Sequence, residues 1–92
     1  MLFVIHALDR PDAGDLRAET RPAHREYVAG FDVALGGPLL DGEGDMCGSL
    51  VVLEAEDLAA AEAYAAADPY AVAGLFERVE IRGLRPLIGP DG

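Results

Sequence analysis

The chain has no lysine, no tryptophan, one cysteine, two histidines and no long hydrophobic run. Each shortage narrows the range of function. Without lysine, seven arginines are the only basic side chains against seventeen acidic ones, and the net charge is −10. No basic patch is available to neutralise phosphates, so a nucleic-acid partner is not expected. An anionic membrane surface would repel the chain as well. The acidic residues are scattered, which reads as a solvated surface and not as an acidic tail. Cys47, the single cysteine, excludes an intrachain disulfide and carries no nucleophile signature. No apolar stretch approaches the roughly 20 residues of a transmembrane helix. The apolar start, Met1 to Ile5, is short and lacks a basic leader or a small-residue cleavage site before Asp9-Arg10-Pro11-Asp12. A reducing cytoplasm is the expected setting.

What is present in excess is apolar material. At 92 residues the chain is expected to form one domain over residues 1–92, yet 51% of it is hydrophobic. A domain this small hides only a modest share of its surface, and a partner subunit would take up the excess.

The run Leu2–Leu8 reads as a strand that is largely apolar on both faces, hence central. Asp15–Gly30 is helical in character, with Pro22 expected to start or kink the helix and Gly30 to end it. Ala23, Tyr27 and Phe31, with Val28 beside them, are expected to face the sheet. Val33–Leu40 is a second strand whose Pro38 calls for an edge, and Gly48–Ala55 is a third. Asp57 is a good N-cap for an alanine-rich helix over Leu58–Ala67, which Asp68-Pro69 ends. Tyr70–Phe76 can add a helical turn before a fourth strand over Val79–Ile88, with Pro86 near its end and a polar tail after it.

The order is βαββαβ. Its expected closure is an α+β ferredoxin-like fold with a four-stranded antiparallel sheet in the order 4-1-3-2. Both helices would cover one face, and a second copy packed sheet to sheet would cover the other, a dimeric α+β barrel.

Antiparallel helices bring His24 and Asp68 to one end of the domain, together with Ser49 and the Leu8–Gly14 and Asp41–Gly48 turns. A carboxylate at a helix C-terminus faces the negative end of the dipole and needs a donor. A carboxylate behind an imidazole fixes its tautomer and makes it a general base or acid near neutral pH. Taken singly, Asp68 also reads as a helix stop, His24 as a surface helix residue, and Arg21 as a partner for nearby surface acids. His6, mid-strand among apolar neighbours, reads as a buried and satisfied histidine. The glycines at 36–37 and 42–48 match no phosphate-loop spacing, and no metal-ligand spacing is present, so neither a cofactor nor a metal is expected.

Five segments in order carry a resemblance that spans nearly the whole chain. They are Arg17-x3-Arg21-x2-His24, Gly37-Pro38-Leu39-Leu40, Gly48-Ser49-Leu50, Ala67-Asp68-Pro69-Tyr70 and Ala73-Gly74-Leu75-Phe76. Together they resemble the YciI-like, YCII-related domain family. The resemblance implies a ferredoxin-like homodimer with a His–Asp pair, here His24 and Asp68, as catalytic groups. It places Arg21, Ser49 and Tyr70 near them as binding residues for a small molecule. One branch of that family is a dehydrochlorinase acting on a chlorinated hydroxyquinol. Three readings stay open: a cofactor-free enzyme in which His24 moves a proton with Asp68 orienting it, a non-catalytic dimer that binds a small ligand, and a member of the related dimeric α+β barrels that oxidise or isomerise aromatics without a cofactor.

Overall fold

The computed structural model describes residues 1–89. Its elements are β1 (Leu2–Asp9), α1 (Leu16–Val28), β2 (Val33–Leu40), β3 (Met46–Glu54), α2 (Leu58–Ala67), α3 (Pro69–Val72) and β4 (Phe76–Leu84). The four strands form one sheet in the order β2-β3-β1-β4, with every pair antiparallel. This is the 4-1-3-2 order expected from the sequence. Pro38 lies in the edge strand β2 opposite Ser49, where the lost N–H does not interrupt the centre of the sheet.

Side-chain alternation divides the sheet. Phe3, Ile5, Val51 and Leu53 point to the helices and form the core with Ala61 and Tyr64 of α2. Tyr27, Val33 and Ile81 pack against this cluster. The alanines of α2 let it lie close to the sheet; Ala61 is fully buried and Asp57 caps its first turn by accepting from Ala60 N. Gly48 stands where a Cβ would run into the Ala7 carbonyl oxygen, so only glycine allows this approach of β3 to β1.

Several boundaries differ from the sequence expectation. α1 runs unbroken from Leu16 with Pro22 inside it, because packing against α3 and of Tyr27 on the core outweighs the hydrogen bond that proline cannot make. His24 therefore sits well into the helix and not near its start. Ala23 is exposed and Phe31 lies beyond the helix, half exposed. The inward face of α1 is instead Arg17, Arg21, His24 and Val28, with Thr20 and Tyr27 beside it. β4 starts at Phe76 and ends at Leu84, so Pro86 follows the strand and is not part of it. The early start has a local cause. Gly74, at φ +79°, closes α3 with Gly74 N donating to Ala71 O and Leu75 N donating to Tyr70 O. This paired closure turns the chain directly into the strand. His6 is half-buried on the face of the sheet away from the helices, between Leu50 and Glu80, and has no side-chain hydrogen bond among the described residues. It is not the core histidine expected. The polar tail lies, from residue 90 onward, outside the described residues. Among the described residues no helix is long and apolar enough to cross a membrane.

Candidate active site

Where α1 crosses the junction of α2 and α3, His24 Nδ1 lies 2.8 Å from Asp68 Oδ1. The junction itself creates this position. Asp68 ends α2 and, in extended backbone conformation, caps α3, its Oδ1 accepting from Tyr70 N at 3.0 Å. Both roles read separately from the sequence, helix stop and histidine partner, fall on one carboxylate. A carboxylate can only accept, so the proton between the pair resides on Nδ1 and the neutral ring keeps its lone pair on Nε2. The side chain of Asp68 is 7% exposed and that of His24 16%. The imidazole thus reaches solvent while its orienting partner does not.

Tyr70 holds the ring in place from the side. Its ring stacks on His24 with centroids 4.1 Å apart and 19° between planes. The guanidinium of Arg17 lies 4.8 Å from the centre of the same tyrosine ring. Arg17 in turn binds Asp9 through both carboxylate oxygens, Nε to Oδ2 at 2.7 Å and Nη2 to Oδ1 at 2.6 Å. Burial pulls the Arg17 pKa down, but the Asp9 hydrogen bonds and charge outweigh it, and the net shift is upward. A continuous chain of contacts, Asp9–Arg17–Tyr70–His24–Asp68, therefore joins the end of β1 to the α2–α3 junction.

Beside this chain lies a cleft of about 500 Å³ between α1 and the β2–β3 edge of the sheet. His24, Tyr70, Arg21 and Ser49 line it, so all four surround one space with Asp68 behind His24. Ser49 is buried on the helix-facing side of β3. Arg21 forms no ion pair among the described residues; its Nη2 contacts Met46 Sδ at 3.4 Å. The surface pairing with acids that the sequence allowed for Arg21 does not occur there.

Arg17, Asp9, Arg25 and Met46 belong to this site and were not among the site residues expected from the sequence. Arg17 carried a signal all the same: with Arg21 and His24 it repeats at four and three residues, which places all three on one helical face.

A four-stranded antiparallel sheet with helices on one face, and a histidine–carboxylate pair at a cleft beside it, defines a small ferredoxin-like α+β protein with an active-site-like centre. The chain belongs to the YCII-related domain family, whose profile matches residues 1–85. It is 37% identical to the proteins called YciI of Escherichia coli O6:H1 and of Shigella flexneri, over 89% of this chain and 94% of each of theirs. Among solved structures it is similar to 5-chloro-2-hydroxyhydroquinone dehydrochlorinase, TftG, of Burkholderia phenoliruptrix AC1100 in complex with 2,5-dihydroxybenzoquinone. The TM-score is 0.86 and the identity 30%, covering 92% of this chain and 94% of that one. Rv0793 of Mycobacterium tuberculosis, at a TM-score of 0.54 and 18% identity over 97% and 96% of the two chains, shares the fold.

Proposed function

We propose that the chain is a cofactor-free enzyme, a cytoplasmic single-domain homodimer that moves a proton on a small aromatic or polar metabolite. The observation that carries this reading is the 2.8 Å contact between His24 Nδ1 and Asp68 Oδ1 at the wall of a cleft of about 500 Å³. His24 Nε2 is the base or acid, and Asp68 fixes the tautomer and stabilises the imidazolium as it forms. Stacking on Tyr70 holds the imidazole plane, and Arg21, Ser49 and Tyr70 bind the substrate. The similarity to a dehydrochlorinase supports an elimination, in which the base takes a proton from the substrate as chloride leaves with its bonding electrons.

The test is turnover. Purified chain is incubated with 5-chloro-2-hydroxyhydroquinone, and with a panel of small hydroxylated aromatics, and chloride and organic products are measured. Turnover that falls at least about a hundredfold in His24→Ala and in Asp68→Asn, with both variants folded, supports the reading. Ligands bound and recovered chemically intact across the panel would overturn the enzyme in favour of a binding protein.

A further inference from the structure

We infer that the substrate of this cleft is an anion, whose charge lies against Arg21 with Arg25 at the rim. The inference rests on the cleft being the substrate site, as proposed above, and adds the charge of what enters it. In a chain of net charge −10, small anions are repelled on average, so a site that admits one must reverse the sign locally. This cleft does so. Three of the seven arginines, Arg17, Arg21 and Arg25, line it, and among the described residues no carboxylate side chain does. The two carboxylates behind the wall are each bound to a lining side chain, Asp9 to Arg17 and Asp68 to His24.

Arg17 is thereby neutralised and acts as part of the wall. Arg21 is not neutralised. It is half-buried, and a thioether sulfur is a weak acceptor that leaves most of its five N–H donors unused. A guanidinium drawn from water without an acceptor is unfavourable until an oxyanion completes it. Arg21, with Arg17 and Met46, also lines a neighbouring cleft, but there Asp9, Asp15 and Asp41 offset Arg10 and the shared arginines, so the reversed sign lies on the His24 side. Arg21 and His24 are three residues apart on one helical face, a spacing that sets neighbouring side chains about 5–6 Å apart at Cβ. A bound oxyanion on Arg21 thus has its carbon skeleton beside Nε2. Negative charge that grows on the substrate as His24 takes a proton is then stabilised by the same guanidinium. The chemical class is a small planar acid: an aromatic carboxylate, an enolate or an acidic phenolate.

Two isosteric probes decide it, 2,5-dihydroxybenzoate and its uncharged amide, titrated calorimetrically into the full chain at low salt. The carboxylate is expected to bind about tenfold or more tightly than the amide, as a charge-assisted contact requires. The preference should shrink in about 0.5 M NaCl. It should vanish in Arg21→Gln and largely survive in Arg21→Lys, with thermal melts showing both variants folded. Equal affinity for the two probes, or an unchanged preference in Arg21→Gln, overturns the inference; if the amide then still binds, the cleft stands as an aromatic site. Failure of both probes to bind also overturns it, and the turnover assay judges the enzymatic reading separately.

Discussion

At the scale of single residues, Asp68 and Tyr64 make sharply different demands. Asp68 holds His24 and caps α3 with the same oxygen. Asparagine keeps an acceptor oxygen for the cap and loses the charge, so Asp68→Asn should melt near the parent temperature while losing the oriented base. Alanine removes both, and Asp68→Ala should cost about 0.5–2 kcal/mol for the cap alone. Comparing the two melts with the two activities separates the structural from the catalytic share. Tyr64 is the opposite case. Its ring fills the core, but its hydroxyl is buried without a hydrogen-bond partner among the described residues. Tyr64→Phe keeps the ring and removes the unsatisfied group, and should be neutral or stabilising by up to about 1–2 kcal/mol in denaturant titration. Burial, and then the nearby Asp68 and Tyr27, push the Tyr64 phenol well above its ordinary value of 10.0. Between that value and the raised one, the folded chain keeps a proton that the unfolded chain has released. Stability is therefore full below about pH 10 and falls as pH rises, by up to about 1.4 kcal/mol per pH unit for each such proton. Tyr64→Phe should flatten this alkaline decline in melts recorded from neutral pH upward. Tyr27, raised by burial and by Asp68, retains a smaller part of it.

At the scale of elements, α1 shows what was legible in the sequence and what was not. The bounds of β2 and α2, the Asp57 cap and the strand order follow from β-branched runs, turn residues and the edge preference of proline. His24 does meet Asp68, as expected from antiparallel helices, but from well inside α1 and not from its start. The register of α1 followed only in part, with Tyr27 on the core and Val28 facing inward but Ala23 exposed and Phe31 beyond the helix, for a physical reason. Hydrophobic periodicity assigns apolar residues to the buried face, here Ala23, Tyr27 and Phe31. The true inner face over the first turns is Arg17, Arg21 and His24, because it lines a cleft and not a core. A helix whose best-buried residue is an arginine defeats any rule that equates inside with apolar. Pro22 misled in the same way. Its propensity argues for a helix start, yet the helix continues through it and leaves the Ala18 carbonyl without its usual partner. Pro22→Ala restores that N–H and should raise the melting temperature, with a gain of about 1–3 kcal/mol. In the other direction, Gly74→Ala places a Cβ at φ +79° and should cost about 1 kcal/mol. Because Leu75 N bonds back to Tyr70 O in that turn, the loss should be accompanied by weaker ligand binding at Tyr70.

At the scale of the whole molecule, the two faces of the sheet are unequal in cover. α1 and α2 shield one. The other carries Leu2 and Val4 of β1, Leu50 and Val52 of β3 and Leu35 and Leu39 of β2, with Leu35 65% exposed. The polar side chains of this face are His6 of β1, Glu54 at the end of β3, and a group on β4 where Glu80 bridges Arg78 at 3.1 Å and Arg82 at 3.3 Å. Such exposed pairs add little stability, but they keep the β4 side in water. The apolar centre of the face lies over β3 and β2, so a second copy is expected to cover that part, related by a two-fold axis that sets the same patch against itself. Covering it also accounts for a chain that is 51% hydrophobic at only 92 residues. Light scattering at micromolar concentration should therefore give about twice the 9.7 kDa chain mass. Leu50 is the residue to change, since it sits in a central strand opposite His6 and points away from the helices. Leu50→Glu sets like charges against each other across the axis while leaving Phe3, Ile5, Val51 and Leu53 packed under α2. It should yield a folded monomer of half the parent mass. A parent chain that scatters as a monomer, or a Leu50→Glu variant that remains dimeric, would remove the sheet-to-sheet interface from this account, whereas the cleft on the helical side, built from one chain's residues, would stand without it.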